Sequence, residues 1–107
     1  MLALDLKYKI IEAIKPLNPE KIILFGSNAY GDPDNESDID LLVIKNIKKE
    51  KVRDCRIEIK KKLWQKFRDQ YISFDVLVDS EERIYERIKI GDRFYEEIYN
   101  KGEVIYA

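Results

Sequence analysis

The chain has 107 residues, 45% of them hydrophobic and 38% charged, with a formal net charge of −1. That length supports one core and not two, so a single domain over 1–107 is expected, and the charge content is that of a globular chain. With no histidine and one cysteine, Ser-His-Asp and Cys-His catalysis, imidazole-ligated zinc and an internal disulfide framework are excluded.

The sole thiol, Cys55, suits a reducing compartment, no apolar run approaches a membrane span, and the N-terminus lacks a signal-peptide pattern. A cytoplasmic location without membrane contact is therefore expected. In chain order, Leu6, Ile10, Ile11, Ile14 and Leu17 recur at helical spacing, and Pro16 within "PLNP" ends that helix. "KIILF", Lys21 to Phe25, reads as a buried strand that Gly26-Ser27 breaks, with Ser27 placed to cap a brief helix running to about Gly31. "GDPDNES" has the composition of a turn, and "DIDLLVI" that of a second strand.

Lys49 to Arg68 reads as a long helix with Val52, Cys55, Ile59, Leu63 and Phe67 on one face. "YISFDVLV", Tyr71 to Val78, is a third strand. Helical pieces follow around Ser80–Lys89 and Arg93–Tyr99, and "EVIYA" suits a short last strand. The order α-β-α-β-α-β-α-α predicts a small α/β fold, with helices flanking a sheet of at least three strands.

Charge is unevenly spread. Lys45 to Arg68 holds eleven basic and three acidic residues, a balance of +8, leaving −9 for the remainder. A helix so patterned is more often a solvated face than a binding surface. Nucleic-acid binding asks for a basic groove with stacking aromatics. Trp64 and Tyr71 read as core residues, so no direct nucleic-acid contact is expected.

The unusual residues are acids inside apolar runs. Strand side chains alternate, so Asp38 and Asp40 share one face while Ile39, Leu41 and Val43 point to the other. Asp75 lies between Phe74 and Val76 on the third strand. If those strands are neighbours, three carboxylates converge, and such a cluster repels itself unless a cation is present. All-oxygen ligands suit Mg²⁺ or Mn²⁺, and magnesium so held completes its shell with water and phosphate oxygens. Gly26-Ser27 supplies the complement, a turn that lets backbone N–H groups approach an anion. Carboxylates and an anion cradle together point to phosphoryl or nucleotidyl transfer. The bland readings are a solvated turn for Asp38 and Asp40, an edge-protecting acid for Asp75 and a simple helix cap for Ser27.

Gly26-Ser27, ten residues, then Asp38-Ile39-Asp40, with a later acid in "FDVLV", resembles the signature of the DNA polymerase β-like nucleotidyltransferases. In length and layout the chain is similar to the minimal nucleotidyltransferases among them. The resemblance implies a polymerase β-like palm with a mixed sheet. It also implies ATP as substrate and two Mg²⁺ ions held by Asp38, Asp40 and Asp75, the catalytic acids. Gly26 and Ser27 would hold the β- and γ-phosphates, with Asn28 and Tyr30 as further nucleotide contacts. Relatives often carry arginine where Asn28 or Tyr30 stands, and Lys21, Lys45 or a partner's side chain are the candidates to replace that charge. Minimal nucleotidyltransferases commonly act as antitoxins, moving AMP onto a tyrosine of a HEPN-domain ribonuclease toxin, and that is the leading expectation. The alternatives are an antibiotic-type enzyme acting on a small molecule, with a homodimer building the acceptor site, or a catalytically idle antitoxin that masks the toxin.

Overall fold

The computed structural model describes residues 2–30 and 38–107, so the expected turn at 31–37 lies outside the described residues. The first helix, α1, spans Leu4–Ile14 and stops two residues before Pro16, which has no N–H to continue the ladder. Lys15–Leu17 tighten into a 3-10 turn, and Asn18 takes a left-handed conformation at φ 55°. Strand β1, Lys21–Phe25, leads through Gly26 into the single turn α2, Ser27–Tyr30. Strand β2 is Ile39–Ile44, and helix α3 is Val52–Lys66 after a 3-10 turn at Lys49–Lys51. Then come β3, Phe74–Asp79, α4, Glu81–Lys89, α5, Arg93–Lys101, and β4, Glu103–Tyr106. Ser80 and Asp92 cap the last two helices, accepting from Arg83 N and from Phe94 N and Tyr95 N respectively.

The four strands form one mixed sheet in the order β3-β2-β1-β4. β1 is antiparallel to β2 and β4, whereas β2 and β3 run parallel. The parallel pair is joined by α3, the helical crossover that parallel neighbours require. Central β2 is covered on both faces beyond Asp40, which explains the continuous apolar run Leu41–Ile44. On one face Ile39, Leu41 and Val43 join Ile22, Leu24, Val76 and Val78 beneath Ile10 and Ile14 of α1 and Ile59 and Leu63 of α3. On the other, Leu42 and Ile44 meet Ile23, Phe25, Ile84 of α4 and Ile98 of α5. Each fully buried aliphatic side chain contributes about 1.5–3 kcal/mol by leaving water.

Two expectations change. The third strand begins at Phe74, where it first pairs with Ile39, and not at Tyr71. Trp64 and Tyr71 are not core residues: Trp64 is 64% exposed and Tyr71 fully exposed. Trp64 is one helical step of about 100° from the buried Leu63, which turns it off the apolar seam. Tyr71 precedes any strand pairing that would hold it inward.

Candidate active site

Asp40 and Asp75 are in-register partners on the parallel strands β2 and β3. They share the face that carries Leu42 and Leu77 two residues further on, where the second core begins. Helices α4 and α5 fill that face around Ile84 and Ile98, so the acids stand at the margin of packed apolar surface. Asp38, just ahead of β2, is exposed, Asp75 is exposed, and Asp40 is half-buried. Burial raises the Asp40 pKa above the usual carboxylate range, and the charges of Asp75 and Asp38 push it in the same direction.

Across β1, Phe25 is the partner of Asp40, and Gly26 follows at φ 72°. A methyl group on Gly26 would overlap the Asp40 carboxylate, with Cγ only 3.1 Å away. Glycine is therefore required twice, by its left-handed backbone and by the approach of the acid. The Ala29 N–H donates to Gly26 O at 3.0 Å and closes the turn. Because α2 is a single turn, its macrodipole is small, and anion binding there would rest on local N–H groups.

The buried Asn28 turns inward, its Nδ2 donating to the Asp38 carbonyl at 2.9 Å. It ties the glycine turn to the start of the acid strand. Tyr30 closes α2, and its side chain lies outside the described residues. Lys21 and Lys45 do not bring charge to this end of the sheet. Lys21 opens β1 opposite Ile44 and pairs with Glu81 at 3.4 Å, while Lys45 follows β2 and donates to the Leu17 carbonyl. Both are a full strand length away from the acids. Sequence reasoning also missed Phe94 of α5, half exposed and edge-on to Phe25 at 5.9 Å between ring centroids. Its aromatic neighbour Tyr95 is turned into the second core; helical phase alone separates the two.

Among the described residues, no three acidic side chains are drawn close enough to enclose an ion by themselves. Asp40 and Asp75 face each other in register, and the Asp38 charge acts on Asp40; oxygen donors of this kind are what a hard divalent cation takes, with water and phosphate oxygens as its remaining ligands. Burial first, and then the charges of Asp75 and Asp38, disfavour an ionised Asp40, and a cation beside it would offset both.

The family model "Polymerase beta, Nucleotidyltransferase" matches residues 8–107. The chain is also 36% identical over 87 residues to a protein of Methanocaldococcus jannaschii named "Putative protein adenylyltransferase", covering 81% of this chain and 78% of that one. An alignment of that length on 107 residues takes in everything from residue 21 to residue 87, and so both the glycine turn and all three acids. The mixed sheet, the acids set on its parallel strands and a match running through nearly the whole chain agree, and the protein belongs to the polymerase beta nucleotidyltransferase family.

Proposed function

We propose that this protein transfers AMP from ATP to a hydroxyl group of a partner protein, with a divalent cation, Mg²⁺ or Mn²⁺, held by Asp38, Asp40 and Asp75. The observation that carries the reading is the register of Asp40 against Asp75, with Gly26 pressed against the Asp40 carboxylate. In this reading Gly26 and Ser27 receive the β- and γ-phosphates, and Asn28 acts as a positioning residue through the Asp38 backbone. Phe94 and Phe25 offer an apolar edge beside the site. A bound Mg²⁺ neutralises the phosphate oxygens and makes the acceptor hydroxyl more acidic.

The acceptor oxygen forms a bond to the α-phosphorus, the bond from that phosphorus to the bridging oxygen of the β-phosphate breaks, and pyrophosphate leaves. Asp75, exposed on edge strand β3, takes the hydroxyl proton as the new bond forms. The name of the M. jannaschii relative supports a protein acceptor. The family resemblance supports a tyrosine of a HEPN ribonuclease toxin, which makes the protein an antitoxin.

The test is the intact mass of a neighbouring gene's HEPN protein after incubation with this protein, ATP and Mg²⁺. A gain of one or more AMP units, absent with Asp38→Ala/Asp40→Ala and absent with chelator, is expected. A stable complex with unchanged mass would overturn transfer in favour of masking. Neither complex nor mass change, with small hydroxylated acceptors labelled instead, would overturn the protein acceptor.

A further inference from the structure

Helix α3 carries a cationic row that the proposed transfer does not use. Arg53, Arg56, Lys60 and Trp64 follow one another at intervals of three or four residues, so they share one face of the helix, and Lys49, in the 3-10 turn ahead of it, borders the same hollow as Arg53 and Arg56. Asp54 and Glu58, by contrast, line the groove that also holds Leu17 and Lys45, on the other flank of α3. The row lies beside edge strand β3 and has a hollow at either end. One, of about 290 Å³, is bounded by Lys60, Trp64, Arg68 and Gln70 together with Ser73 and Phe74, where β3 begins. The other, of about 420 Å³, is bounded by Lys49, Arg53, Arg56 and Arg83, with Asp79, where β3 ends. Asp79 is already engaged by Arg83 at 2.5 Å, and Glu86 and Arg87 complete that wall. Among the described residues, none of Lys49, Arg53, Arg56, Lys60 and Arg68 has an acidic side chain within ion-pair distance.

At the upper end the Arg68 guanidinium lies 5.1 Å from the centre of the Trp64 ring, and Trp64 is largely exposed. Tyr71 stands fully in solvent three residues beyond Arg68. A linear row of unpaired cations ending in an exposed aromatic platform is the arrangement that tracks a phosphate backbone and stacks a base. An acidic protein helix would use the charges without needing the exposed ring of Trp64, whereas a single strand presents a base at every residue.

We infer that the α3–β3 edge is a binding surface for single-stranded nucleic acid, with Arg53, Arg56, Lys60 and Arg68 on the phosphates and Trp64 under a base. From Arg53 to Trp64 the helix rises ~16 Å, room for up to about five nucleotides when they are stacked at the ~3.4 Å spacing of a duplex strand. The surface is independent of the adenylyl-transfer reading, since none of the acids belongs to it.

Trp64 is the only tryptophan of the chain, so its emission reports stacking at that one place. The protein is titrated with oligo(U) and oligo(dT) of about ten residues, with a duplex of equal length and with polyglutamate. Binding is read by labelled-oligonucleotide anisotropy and by Trp64 emission. Binding of either single strand with quenching of Trp64 is expected, and comparison of the two separates RNA from DNA. Four phosphate contacts at a slope of ~0.7 each predict about fifty-fold weaker binding when salt rises from about 50 to 200 mM. Arg56→Glu/Lys60→Glu lowers affinity at least about tenfold, and Trp64→Ala, read by anisotropy, about tenfold. These side chains are on the surface, and unchanged thermal melts show that the variants fold. Polyglutamate or duplex binding as tightly as the single strands, absence of quenching, or charge-reversed protein binding normally would each overturn the assignment. Tight polyglutamate binding without quenching would give the surface to an acidic protein instead.

Discussion

Asp40→Asn is expected to stabilise the metal-free protein while abolishing transfer. Asp40 faces Asp75 across neighbouring strands, which lie about 4.8 Å apart. Two like charges at roughly 5 Å repel by about 1 kcal/mol in water and about 3 kcal/mol at an effective dielectric constant near 20. Asp40 is half-buried, so the stabilisation on removing its charge falls within about 1–3 kcal/mol, or roughly 5–15 °C in Tm for a chain of this size. The sign follows from linkage: burial and the two neighbouring carboxylates raise the folded-state pKa of Asp40. The folded protein therefore holds this proton to higher pH than the unfolded chain does, and wild-type stability falls as pH rises from the ordinary carboxylate range through that raised value. The advantage of Asp40→Asn grows through the same window and levels off above it. Thermal melts in chelator across acidic to neutral pH measure it. Added Mg²⁺ reverses the order, raising the wild-type Tm and leaving the variant nearly unmoved. A variant less stable than wild type at neutral pH, or an advantage that does not change with pH, would refute the electrostatic reasoning.

Gly26→Ala forces a side chain into a left-handed backbone and against the Asp40 carboxylate; a loss of at least about 1 kcal/mol in urea unfolding, with AMP transfer lost by mass spectrometry, is expected. Asn28→Ala leaves the Asp38 carbonyl without its 2.9 Å donor and costs about 1–3 kcal/mol where that carbonyl is shielded from water, with residual activity that Asn28→Asp does not restore, because a carboxylate cannot donate. Leu41→Ala opens a cavity in the first core, where Leu41 is wholly buried, and lowers unfolding free energy by about 2–5 kcal/mol with the site chemistry untouched in the fraction that remains folded.

What the sequence determined by itself was local. Alternation along a strand placed Asp38 and Asp40 opposite Ile39, Leu41 and Val43, and the structure has those three in the core. Helical spacing placed Ile59 and Leu63 inward on α3, and Gly26 read correctly as a break because its left-handed backbone favours glycine and the Asp40 carboxylate leaves no room for a side chain. The start of β3 was misread because "YIS" has strand-forming residues but no strand to pair with. Only tertiary structure decided that β3 lies beside β2, parallel and in the register that sets Asp75 against Asp40. Strand order and register depend on which faces α1, α3, α4 and α5 cover, a sum over contacts distant in sequence. The same holds for Lys21 and Lys45, whose distance from the acids follows from strand direction, and for Asn28, whose partner is ten residues along the chain. Trp64 shows the limit most directly. Hydrophobicity alone argued for burial, but one step of helical phase turned its ring to solvent beside Arg68, because a helix buries only the stripe that its neighbours can reach.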